Sequence, residues 1–171
     1  MQQKRSVEDR LTVTEATLEI MRLKSIYAEC ADGKYTDEHQ KKPTEARDAV
    51  ARQQVLCFTE DGEFHAGVFG SVKGHDALFE NFRSKPFIFA MHVFTNPVID
   101  VDLTTLTAKG RWLHHLFVTE DDTGRAMHGM GYTFDEYRCV DGKWLFSRVE
   151  TRLKFLVPFG AAWSPAQPTQ Q

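Results

Sequence analysis

The chain has 171 residues, 42% hydrophobic and 26% charged, with a formal net charge of −3, a composition expected of one soluble domain with a sizeable core. No basic block marks a nucleic-acid partner, no run nears the ~18 apolar residues of a membrane span, and the charged N-terminus lacks the apolar stretch of a secretory signal. Cys30, Cys57 and Cys139 are far apart, show no C-x-x-C spacing, and read as reduced thiols of a cytoplasmic protein.

In chain order, residues 1–12 read as a flexible tail. Apolar residues then recur at Val13, Ala16, Ile20, Leu23, Tyr27 and Cys30/Ala31, a helical spacing with Thr12 or Thr14 available as N-cap. "KKPTEARDAVARQQVLCF" reads as a second helix opened by Pro43 and Thr44. "VLCFTEDGEFHAG" follows as a first strand with a turn at Asp61-Gly62, and "KGHDALFENFRSKP" as a short helix ended by Pro86. Four strand-like segments come next: "IFAMHVFTNPVIDVD", "TLTAKGRWLHHLFVTE", "RAMHGMGYTFDEYRCV" and "KWLFSRVETRLKFLV". The turn signals "DLTT", "EDDTG" and "VDGK" separate them, which predicts an antiparallel meander. Residues 158–171 read as a second flexible tail. The expected fold class is α+β: N-terminal helices packed on a strongly curved, mostly antiparallel sheet. Such a sheet makes a cone over residues 13–157, with a central small-molecule pocket at its open end.

The candidate chemistry begins in "YAECADGKYTDEH", Tyr27 to His39. Asp32 ends the first helix, where a carboxylate meets the negative end of the dipole at a cost of ~0.3–1 kcal/mol. Gly33 suits the left-handed residue that closes a helix. Asp-Gly is also ordinary turn chemistry, so local rules leave Asp32 as either a stop signal or a base. Tyr27 lies on the apolar stripe, as a core aromatic or as a group facing the same cavity as Asp32.

Of seven histidines, His39 and His75 fall in loops or helix starts. His65, His92, His114 or His115, and His128 fall on separate strands, and alternation lets only one of His114 and His115 point inward. No H-x-H, H-E-x-x-H or paired acidic ligand accompanies them, so no metal is expected. A His–Asp pair is the better use of a group that exchanges protons near neutral pH. "GMGYTF" has too few glycines for a dinucleotide loop and opens no helix; Gly129 and Gly131 read as places where a strand bends.

Three segments carry a family resemblance: "IMRLKSIYAECADGKYTDE", "MHVFTNPVIDVDLTTLTAKGRW" and "DEYRCVDGKW". From about Thr14 to Phe155 the chain resembles the SnoaL-like branch of the nuclear-transport-factor-like superfamily, the cone fold of scytalone dehydratase and ketosteroid isomerase. In motif it is most similar to bacterial bile-acid dehydratase. The resemblance implies Tyr27, Asp32 and His92 as the acid/base group and sets the family's late-strand arginine near Arg148 or Arg152. It implies a cofactor-independent lyase that eliminates, dehydratase-fashion, from a hydrophobic, aromatic or polycyclic hydroxylated substrate. Phe89, Phe94 and Trp112 would be its apolar walls, with His114, His128 and Tyr132 as polar contacts. The superfamily also supports dehydrochlorination, isomerisation and retro-aldol loss of formaldehyde from lignin-derived diaryl compounds. It includes non-catalytic accessory subunits of ring-hydroxylating dioxygenases as well. The insertion "HQKKPTEARDAVARQQ" flanks the cone mouth. Sheet faces and the apolar "FLVPFGAAW" are typical association surfaces, so a homo-oligomer, dimer or trimer, is expected.

Overall fold

The computed structural model describes residues 6–67 and 70–160. Helix α1 spans Val7–Asp32 and starts well before its apolar stripe. The Ser6 hydroxyl accepts the Asp9 N–H at 3.0 Å, and the Asp9 carboxylate accepts the Ser6 N–H at 3.3 Å, a reciprocal capping box. Thr12 and Thr14 therefore lie inside the helix, donating back to the Glu8 and Arg10 carbonyls. Residues 7–12 are helical rather than a loose tail. Apolar periodicity reports only the buried part of a helix, and this first stretch is solvent-exposed. The stripe itself falls as read: Ala16, Ile20, Leu23, Tyr27, Cys30 and Ala31 are buried, joined by Lys24. At the C-terminus Gly33 has φ −62°, a right-handed and not a left-handed residue. Glycine is still favoured there, because a Cβ would stand 2.8 Å from the Glu29 carbonyl oxygen.

Pro43 opens α2 (Thr44–Val55), as its sequence signals predict. Next come β1 (Phe58–His65), β2 (Ser71–Lys73) and α3 (His75–Arg83). The chain finishes with β3 (Phe87–Asp102), β4 (Thr107–Glu120), β5 (Ala126–Val140) and β6 (Lys143–Pro158). Asp61-Gly62 does not turn the chain. It stays within β1, where the register against β6 shifts between Phe58 and Glu63. The three-residue β2 was too short to read from its pattern. The expected C-terminal tail meets the end of β6 at Pro158, and residues 161–171 lie outside the described residues.

The sheet order is β2-β1-β6-β5-β4-β3, with β3 to β6 an antiparallel meander and β1 parallel to β6. Register shifts in β3 between Thr95 and Val98, and in β5 between Met130 and Gly131, curl these long strands. At Gly131 the backbones nearly touch: a Cβ there would lie 2.1 Å from the Arg152 carbonyl oxygen. The helices pack on the concave face over a core that includes Ile20, Phe58, Leu78, Phe82, Tyr137, Phe146 and Val149. A second cluster of Tyr35, Ala90, Leu116, Val118 and Met127 lies toward the other end of the strands. No helix of the described residues is long and apolar enough to cross a membrane.

Candidate active site

The last residue of α1 meets the first half of β3. Asp32 Oδ1 lies 2.7 Å from His92 Nδ1, and both carboxylate oxygens sit 3.1 Å from the His92 backbone nitrogen. One side chain thus receives the ring and the main chain of the same residue. A carboxylate partner makes Nδ1 the protonated nitrogen, so the lone pair resides on Nε2. Nε2 has no protein partner among the described residues.

His92 also lines a partly open cavity of about 70 Å³ between the helices and β3, β4 and β6. Its exposed walls are largely apolar, including Phe64, Phe82, Phe87, Leu116 and Leu153, with polar side chains of Lys34, Gln54, Lys85, His92 and His114 set among them. Tyr27 is buried there, with ring edges against Phe58, Phe82 and Phe146. Burial holds its hydroxyl protonated far above the usual phenol range. Lys34 Nζ donates to Gln54 Oε1 at 2.7 Å, and the Gln54 side chain beside Tyr27 draws the tyrosine's pKa down against the larger rise from burial.

His114 is the inward member of the His114/His115 pair. Its ring lies parallel to that of His92, centroids 5.7 Å apart, and stacks on Phe94 at 4.6 Å. It is only 4% exposed, and neither ring nitrogen has a hydrogen-bond partner among the described residues. Burial, with His92 and Lys24 nearby, keeps its pKa well below the ordinary value, so the ring is neutral at pH 7.

Tyr27, His92 and His114 therefore share the cavity, while Asp32 stands behind His92 in a shallow outer groove with Phe94 and Trp112. The other expected contacts lie elsewhere. Phe94 backs the His114 ring, and Trp112 donates its indole N–H to the Tyr137 hydroxyl at 3.0 Å. Phe89 stacks on His39 at 4.0 Å. His128 stacks on Phe117, and Tyr132 lies beside Phe134 under Arg111, both on the convex face. Alternation explains the last two: Met127, Gly129, Gly131, Thr133, Asp135 and Tyr137 of β5 face inward, so the even positions face out. Arg148 pairs with Glu63 and Glu150, and Arg152 with Glu150, so neither late-strand arginine lines the cavity.

Sequence reasoning missed three lysines. Lys24 lies one residue past Leu23 on the apolar stripe, an anomaly that was legible. Its ammonium bonds Asp135 at 2.7 Å and Thr133 at 3.0 Å, and lies 4.1 Å from the Phe94 ring centre. Burial lowers its pKa, opposed by Asp135. Lys34 and Lys85 both line the cavity, and burial pulls their pKa values down to about 7 and about 8. Nothing in the local sequence marks either as inward.

Known structures share this architecture over nearly the whole chain. The hexachlorocyclohexane dehydrochlorinase LinA type 2 is 16% identical at a TM-score of 0.72, over 94% of this chain and 98% of that one. A scytalone-dehydratase-like protein from Novosphingobium aromaticivorans is 19% identical at 0.70, over 94% and 98%. The LinA type 3 dehydrochlorinase from Novosphingobium barchaimii is 17% identical at 0.70, over 94% and 99%. At these identities the likeness establishes the fold. No curated protein matches the sequence. The family model of the SnoaL-like domain matches residues 12–150, most of the cone, and the chain belongs to that family.

Proposed function

We propose that this protein is a cofactor-independent lyase that eliminates water from a hydrophobic, aromatic or polycyclic hydroxylated substrate. The observation that carries this reading is the Asp32–His92 pair, 2.7 Å apart, at the wall of a partly open, mostly apolar cavity. His92 Nε2 takes the proton from a carbon next to an activating group. Asp32 holds the ring in the productive tautomer and stabilises the imidazolium that forms, as the orienting acid of a hydrolytic triad does. Tyr27, whose hydroxyl burial keeps protonated, donates to the oxygen where charge develops or which departs. The neutral His114 ring is a second donor within the same cavity. The resemblance to bile-acid dehydratase and the dehydratase and dehydrochlorinase names among the structural neighbours agree with a base-initiated elimination.

The test is turnover of hydroxylated diaryl and polycyclic compounds, followed by mass for loss of water and by a formaldehyde trap. Asp32→Asn and His92→Ala are expected to cut turnover by about 10²–10⁴-fold. Near wild-type turnover in both variants overturns the proposal. Formaldehyde in place of a water-loss product assigns the same base to retro-aldol cleavage.

A further inference from the structure

The cavity contains two lysine amines and no carboxylate to balance their charged forms. Lys34 is 4% exposed and reaches only the neutral Gln54 carbonyl, and Lys85 is half-buried with its ammonium 2.5 Å from Asn81 Oδ1. Among the described residues neither lysine has a carboxylate within ion-pair distance. Both ammonium groups stand over cavity aromatics, Lys34 at 5.8 Å from the Phe82 ring centre and Lys85 at 5.2 Å from that of Phe64. Asp32 is the nearby carboxylate, and its oxygens are committed to His92. A buried cation without a counter-charge is costly and tends to shed its proton, and an anion that enters beside it favours the charged form again. A second observation points to a polar occupant: His114, nearly fully buried in the same cavity, has both ring nitrogens unpartnered.

We propose that the cavity takes an aromatic carboxylic acid, with its carboxylate held between Lys34 and Lys85 and its apolar body against Phe82, Phe87 and Leu116. This deepens the proposed function by naming a substrate class, and it rests on that reading only for calling the ligand a substrate. The binding itself does not require catalysis. The charge state gives the site a signature. The groups acting on Lys34 are Lys85, which lowers its pKa, and Asp32 and Cys30, which raise it, all outweighed by burial; on Lys85 burial acts alone. With values of about 7 and about 8, the amines are partly neutral at pH 7.5. An arriving carboxylate stabilises their charged forms, so binding draws protons from solvent.

The probe pair is 2-naphthoate and the near-isosteric 2-naphthamide, titrated calorimetrically into the wild-type protein at pH 7.5 in phosphate and in Tris. The acid is expected to bind at least about tenfold tighter than the amide. Its enthalpy should depend on the buffer with the sign of proton uptake, and the amide's should not. Its affinity should fall from pH 6 to pH 9 as the lysines lose their protons. Lys34→Met and Lys85→Met should each remove most of the preference, and Lys34→Arg should keep it. Equal affinity of acid and amide, no binding of the acid, or a preference that survives both methionine substitutions overturns the inference. The wild-type comparison needs no variant to fold. His92→Ala should keep the acid preference while losing turnover, so failure of the anion site and failure of the lyase reading are read separately.

Discussion

A carboxylate that accepts both the ring N–H and the main-chain N–H of one histidine is placed to orient that histidine rather than to act as the base itself. This arrangement predicts a tautomer that can be measured without a substrate. Nitrogen-15 correlation spectra at pH 8 should show His92 protonated at Nδ1 and bare at Nε2. Asp32→Asn should shift the population toward the other tautomer, and an unchanged spectrum would deny Asp32 its orienting role. Turn chemistry and helix-dipole rules left Asp32 undecided; only its spacing from Tyr27 and its match with the Met-His segment singled it out. His114 was legible from alternation, once one of two adjacent histidines had to face in. The same rule, applied to β5, would have turned His128 and Tyr132 outward, but glycines at 129 and 131 hide the apolar phase of that strand. Lys34 and Lys85 sit in connecting segments, where no periodicity reports direction.

At the scale of elements, the helices and the meander follow from spacing and turn residues; of the bulges that curl the sheet, Gly129 and Gly131 announce the one in β5, and nothing announces the one in β3. What fixes α1 to the sheet is the Lys24–Asp135 pair, with both side chains almost fully buried. Tyr137 adds a hydrogen bond to the same carboxylate at 2.9 Å, and Trp112 bonds Tyr137 in turn. Removing one partner leaves the other charge buried alone. Asp135→Asn or Lys24→Met should therefore lower unfolding free energy by about 3–5 kcal/mol in urea titrations. The double replacement Lys24→Met with Asp135→Asn should lose less than the two single losses added together. Additive losses would show that the pair is not coupled. Gly131 tests the bulge. The obstacle to a Cβ there is backbone, which cannot rotate away, so Gly131→Ala should cost about 1–3 kcal/mol or more in the same titration. A neutral result would show that β6 can shift away from β5.

At the scale of the whole molecule, the buried lysines set how stability depends on pH. Lys34 has a folded-state pKa of about 7 against an ordinary 10.5, and Lys85 about 8. Above these values the unfolded chain holds protons that the folded protein has released, so stability rises with pH from about 7 upward. Lys24, lowered by burial, acts in the same direction, and so does neutral His114 below its ordinary 6.5. The Cys57 thiol opposes them at the alkaline end. Burial pushes it up to about 12 from 9.0, so above pH 9 the unfolded state sheds a proton that the fold retains, and stability declines. Urea unfolding of the unliganded protein should accordingly give a free energy on the order of 1–2 kcal/mol higher at pH 8.5 than at pH 6.5. Lys34→Met, which removes the most buried of the two cavity amines, should flatten that rise and raise stability at pH 6.5. A bound aromatic carboxylate should flatten it as well, because it returns to both lysines the protons that burial removed. A wild-type profile that is flat or falls between pH 6.5 and 8.5 would mean that the two amines keep their ordinary proton affinity inside the cone.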